Sequence, residues 1–187
     1  MDTNRITLNT YQEEFDKYEA GTSQRVSGTQ KEWIDGLLAR IDTDTLMLEV
    51  GSAFGRDAAY IKDAGYENIT VTDAFDAAID RLRKRGFADA KKFNALTDEP
   101  DGEYGLIFAS AVFLHFTERE FETVLQKLHG HLGKSGLLAF TVKEGDGEEN
   151  DRKAKMRGHD DGAKKCAISF PAPCRGRPAG IGGASGG

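Results

Sequence analysis

The sequence predicts an α/β fold: a doubly wound, mainly parallel sheet of about five strands, with two N-terminal helices and a disordered C-terminal tail. Three observations predict it. Short apolar runs alternate with segments of helical period, the first such run stops at Gly51, and all pattern ends near Val142. With 39% hydrophobic and 30% charged residues, the 187-residue chain has enough apolar side chains for one ordinary domain.

Tyr11, Phe15 and Tyr18 place one aromatic on each helical turn, and Trp33, Ile34, Leu37, Leu38 and Ile41 repeat the period in a second helix. Leu46, Met47, Leu48 and Val50 form a nearly continuous apolar run, as expected for a strand buried on both faces of a parallel sheet. Residues from Arg56 to Ala64 suit a helix, Asn68 to Thr72 a strand ending at Asp73, and Phe75, Ala78, Ile79 and Leu82 a helix stopped by Gly86. Further strands are expected over Ala90 to Phe93, Leu106 to Ala109 and Leu137 to Val142. Between the last two, Thr117 and Glu120 fit a capping box and Phe116 and Phe121 a hydrophobic staple. Phe121, Val124, Leu125, Leu128 and Leu132 then keep helical spacing up to Gly133. Right-handed crossovers join such elements into a doubly wound sheet, whose ligands sit beyond the strands' carboxyl ends.

Composition narrows the function. The formal net charge of −6 divides unevenly, since residues 151–187 carry eight Lys/Arg and three Asp/Glu, leaving −11 for residues 1–150. An acidic body repels a phosphate backbone, so no nucleic-acid partner is expected, and a small or cationic substrate is. No run of about 18 apolar residues and no basic, apolar leader occurs, so no membrane partner and a cytoplasmic setting are expected. Cys166 and Cys174 have no His or Cys neighbours at zinc-binding spacing, and no metal is expected.

The chemistry concentrates in Glu49, Val50, Gly51, Ser52, Ala53, Phe54, Gly55, Arg56 and Asp57, between a strand and a helix. Gly51 permits a sharp turn, and small residues at 52 and 53 let a ligand approach backbone N–H groups at the helix start. Asp73 ends the next strand 22 residues after Gly51, where a carboxylate can accept from both ribose hydroxyls of an adenosine ligand. Taken singly, such a glycine is a tight connection and such an Asp a helix cap; order and spacing together favour a ligand site. Dinucleotide binding would require GxGxxG, and here Ala53 and Arg56 stand at its second and third glycine positions.

The LEVGSAFGRDA run, the VTD ending at Asp73, the FNAL after the third strand and the YGLIFASAVFLHF run resemble the successive motifs of class I S-adenosylmethionine-dependent methyltransferases, a Rossmann-like family, over roughly Tyr11 to Glu144. Ala53 replaces the middle glycine of that family's GxGxG. The resemblance implies S-adenosylmethionine as cofactor and methyl transfer to a small-molecule acceptor. It implies that Gly51, Ser52, Ala53 and Gly55 surround the methionine part, with Arg56 near its carboxylate and Asp73 on the ribose. Ala74 and Phe75 would flank the adenine, Asn94 and Ala95 would meet its edge, and Ala109 and Ser110 would lie under the sulfonium. Glu49 would orient the turn.

His115 follows the strand facing the methyl group and is a candidate general base, set against the favoured reading of a packed side chain closing the pocket. The stripe of Tyr11, Phe15 and Tyr18 reads as core or lid. The competing function is a non-catalytic nucleoside-binding or interaction domain. The sequence divides into a domain over 1–145, incomplete at its C-terminal side, and a Gly/Pro/Arg-rich tail over 146–187. The change near Asn150 points to truncation or a shifted reading frame. Without the family's last strands the fifth strand is expected to be an open apolar edge, suited to a homodimer.

Overall fold

The computed structural model describes residues 3–143 and 163–169. Helices α1 (Thr3–Gly21) and α2 (Gly28–Leu38) precede β1 (Met47–Val50), α3 (Arg56–Asp63), β2 (Ile69–Asp73), α4 (Asp76–Lys84) and β3 (Lys91–Lys92). There follow β4 (Tyr104–Ala109), a 3-10 turn (Phe113–His115), α5 (Glu118–Gly130), β5 (Leu132–Lys143) and β6 (Ala163–Ser169). The sheet order is β3-β2-β1-β4-β5-β6, with β1 to β5 parallel and β6 antiparallel. The chain runs outward from β1 to both sides, which opens a crevice at the carboxyl ends of β1 and β4.

Strand residues alternate between two cores, as the two-residue period of a strand requires. Met47, Leu106, Phe108, Leu137 and Ala139 pack on Ile34, Leu37 and Leu38 of α2 and Ile61 of α3. Leu48, Val50, Ile107, Ala109, Leu138 and Phe140 pack on Val124 and Leu128 of α5. Helices cover both faces, which is why β1 and β4 read as continuous apolar runs. α1 is held across α4 by Glu19, which accepts from Arg81 and, at 2.6 Å, from Arg85.

Several boundaries differ from the sequence expectation. Leu46 stays outside β1 and exposed, its carbonyl accepting from the N–H groups of Gly105 and Leu106. β3 shrinks to two exposed lysines between buried Ala90 and Phe93. α5 stops at Gly130, and Leu132, read as its last apolar residue, pairs with Tyr104 in β5. The register then shifts, and Ser135, at φ 64, helps β5 absorb extra residues before Leu137 aligns with Leu106.

The larger correction concerns residues 163–169, expected as coil. They form β6, which pairs with β5 from Leu137 to Lys143. The fifth strand therefore has no open edge there, and the expected homodimer through it loses its basis. The apolar run beginning at Cys166 was the sequence's signal for this strand. The coil expected over 146–162 and 170–187 lies outside the described residues. No helix among the described residues is long and apolar enough to cross a membrane.

The start of α5 carries the capping box the sequence expects: the Thr117 N–H donates to the Glu120 carboxylate at 2.8 Å, and the Glu120 N–H donates to Thr117 Oγ1 at 3.3 Å. Thr117→Ala should lower unfolding free energy by about 1 kcal/mol in urea titration, with Thr117→Ser recovering most of it. An unchanged midpoint for the alanine variant would remove the cap from the stability of α5.

Candidate ligand-binding site

The turn between β1 and α3 is built on left-handed backbone. Gly51, Ala53 and Gly55 have φ of 74, 50 and 79°. A Cβ on Gly51 would run into the Val112 side chain, so only a bare backbone fits where this residue borders the crevice. At Gly55 the constraint is packing, because a Cβ would stand 2.7 Å from Phe87 and 2.9 Å from Leu82. Ala53 adopts the same region at a cost of about 1–2 kcal/mol for an L-residue. Its N–H donates to Asp73 Oδ2 at 2.8 Å, which helps fix that conformation.

Asp73 reaches the turn because β2 lies parallel to β1 with Thr72 opposite Val50. Two further bonds fasten the strands: the Ser52 N–H donates to the Thr72 carbonyl at 2.8 Å, and Thr72 Oγ1 donates to the Glu49 carbonyl at 2.7 Å. The Ala74 N–H donates to Asp73 Oδ1 at 2.7 Å, so each carboxylate oxygen has a backbone donor. Burial raises the Asp73 pKa to about 6, against the lowering effect of the Ala53, Ala74 and Phe75 N–H groups.

A cleft of about 100 Å³ opens above these strand ends. It brings together Gly51, Asp73, Ala74, Phe75, Asn94, Ala95, Ser110 and His115. A second cleft of about 60 Å³ adjoins it at Gly51, Ser110 and Ala111, and is bordered by Ser52 and Arg56. Of the residues the sequence nominates, Ala53, Gly55 and Ala109 border neither cleft. Ala53 and Gly55 shape the turn, and Ala109 is fully buried in the α5-side core.

The sequence reads the aromatic stripe of α1 as core or lid and does not assign Thr7 or Leu8. Thr7, Leu8, Tyr11 and Tyr18 line the first cleft, whereas Phe15 is core with Phe54 and Ala78. The aromatic stripe therefore serves both roles. Tyr11 Oη lies 3.1 Å from His115 Nε2, and the Tyr11 ring lies near-parallel to Phe75 with centroids 6.0 Å apart. Burial, then the neighbouring Tyr18 and Asp73, holds the Tyr11 hydroxyl above its usual range, so it keeps its proton. His115 thus faces the cleft while also packing against α1.

The second cleft is acidic. Glu49, Asp57 and Arg56 border it, with Arg56 Nε donating to Asp57 Oδ1 at 2.7 Å. Burial, then the Asp57 charge, pushes the Glu49 carboxyl well above the usual range. Gln30 of α2, unassigned from sequence, donates from Nε2 to Asp57 Oδ2 at 2.7 Å and to Ser110 Oγ at 3.0 Å. The available signal was a polar residue one turn before Ile34 on the apolar stripe of α2.

A family model described as a methyltransferase domain matches residues 24–171. No curated protein matches the chain. Among solved structures, the magnesium protoporphyrin IX methyltransferase of Synechocystis PCC 6803 with bound SAM is 13% identical over 83% of this chain and 84% of that one, with a TM-score of 0.64. An N-methyltransferase from Bradyrhizobium japonicum WM9, in complex with S-adenosyl-L-homocysteine, is 20% identical over 60% of this chain, with a TM-score of 0.51. The [4+2]-cyclase SpnF is 19% identical over 63% of this chain, with a TM-score of 0.53. The chain spans 61% and 47% of the lengths of the last two, and 35% of a further N-methyltransferase. At these identities the likeness is one of fold.

The Asp73 carboxyl carbon should titrate near pH 6 by carbon-13 NMR. Because the folded pKa lies above the unfolded one, this group favours folding below about pH 4, and that contribution is lost as pH rises through about 6. A midpoint near 4 would contradict the burial of Asp73 beside the turn.

Proposed function

The chain belongs to the methyltransferase-domain family, and from that premise we propose that it binds S-adenosylmethionine across the two clefts and transfers its methyl group to a small-molecule acceptor. The observation carrying this reading is the hydrogen bond from the Ala53 N–H to Asp73 Oδ2, which ties the bare turn and the acid into one site. The site suits the cofactor on its own chemistry: Gly51 borders both clefts with no side chain of its own, and Glu49 Oε2 is buried without a hydrogen-bond partner beside the second cleft. The acidic body, and structures of like fold whose names give small acceptors such as magnesium protoporphyrin IX and phosphoethanolamine, support a small, non-nucleic-acid acceptor. A cytoplasmic setting belongs to the same reading.

When bound, the cofactor supplies a methyl group already activated by its sulfonium. Asp73 would accept from the ribose hydroxyls, with Ala74, Phe75, Asn94 and Ala95 around the adenine. Ser52 and Arg56 would hold the methionine end, and Ser110, at the junction of the clefts, the floor beneath the reacting centre. Gly55 and Ala109 support these positions through packing. Tyr11, Tyr18 and Phe116 exclude water from the first cleft, and His115 closes its wall. Positioning can supply most of the rate, because charge is dispersed as the methyl moves.

The likeness to a [4+2]-cyclase favours a second reading, in which the pocket binds its nucleoside without methyl transfer. Donor binding without turnover across a panel of acceptors would carry that reading.

Calorimetric titration with S-adenosylhomocysteine tests the main one. Asp73→Ala should weaken binding by about 1–3 kcal/mol, the scale of charge-assisted hydrogen bonds. Ribose hydroxyls donate to the ionised carboxylate, so wild-type affinity should fall as pH drops below about 6. Equal affinity in both chains would remove Asp73 from the site.

A further inference from the structure

Gln30 lies outside the strand-turn-helix unit, yet it is 7% exposed and spends both side-chain N–H groups at the second cleft. Asp57 is held at both ends, Oδ2 by Gln30 and Oδ1 by Arg56. The Ser110 hydroxyl, having accepted from Gln30, retains its own proton to donate. Glu49 converges on the same space, 2% exposed, with Oε2 lacking a partner. A buried carboxyl oxygen without a partner leaves the cleft able to take a further donor.

We propose, resting on the donor-site reading above, that Gln30 is a positioning residue for the amino-acid end of the ligand: by fixing Asp57 and Ser110 it shapes the second cleft for an ammonium group. Gln30 thereby selects ligands carrying an α-amino acid over the bare nucleoside. Burial and the Asp57 charge raise the Glu49 carboxyl, and an incoming ammonium would draw it back toward the ionised form. A purely structural Gln30 would act on the domain as a whole and affect the adenosine end equally.

The test titrates the full chain with S-adenosylhomocysteine and with 5′-methylthioadenosine, which lacks the amino-acid end. Gln30→Met keeps the side-chain length and removes both donors. It should weaken S-adenosylhomocysteine about tenfold, the scale of a lost hydrogen bond to a charged group, and leave methylthioadenosine within about twofold. Gln30→Lys, which brings its own cation to Asp57, should discriminate in the same direction. Loss confined to S-adenosylhomocysteine in either variant supports the proposal. Equal loss of both ligands in both variants, or no loss of either, overturns it while leaving the donor-site reading intact. Failure of the unsubstituted chain to bind either ligand overturns the two together.

Discussion

The contact between the Asp73 carboxylate and the Ala53 N–H is the constraint on which the site depends. A carboxylate buried at the end of a strand is unfavourable alone, and it is tolerated here because the adjacent turn offers backbone donors. The turn in turn places Ala53 in a region of backbone space that an L-residue avoids, and the bond to Asp73 offsets that cost. Each feature stabilises the other. Their shared position, at the carboxyl ends of β1 and β2, makes the pair a candidate ligand site as well as a structural joint.

Around this joint the fold supplies rigidity. Alternate residues of β1, β4 and β5 are locked into two cores covered by opposite sets of helices, so the strand ends at the cleft have little freedom to move. α1 adds the outer wall. Its attachment is polar as well as apolar: Glu19 meets Arg81 and Arg85 on α4, and Phe15 packs with Phe54 and Ala78. This leaves Tyr11 and Tyr18 facing the cleft, where Tyr11 joins His115.

The parallel core was legible because fully buried strands and amphipathic helices leave strong, opposed periodicities. Leu48, Val50, Ile107 and Ala109 announce themselves in any reading of the chain. The turn and Asp73 were legible for a different reason, the spacing a strand-helix-strand unit imposes between its first bend and its second strand end. Boundaries were less so. Leu132 keeps helical spacing with Leu128 but is claimed by pairing with Tyr104, a long-range interaction that local pattern does not encode. β6 was missed because the pairing that makes Ala163–Ser169 a strand lies in β5. Gln30 was passed over because its partners, Asp57 and Ser110, lie far away in sequence.

The most direct test of the central claim is a crystal structure of the full chain with S-adenosylhomocysteine. Both ribose hydroxyls should lie within hydrogen-bond distance of the Asp73 carboxylate, with the ligand's amino-acid end running past Gly51. A ligand bound elsewhere on the sheet, or a ribose turned away from Asp73, would contradict it.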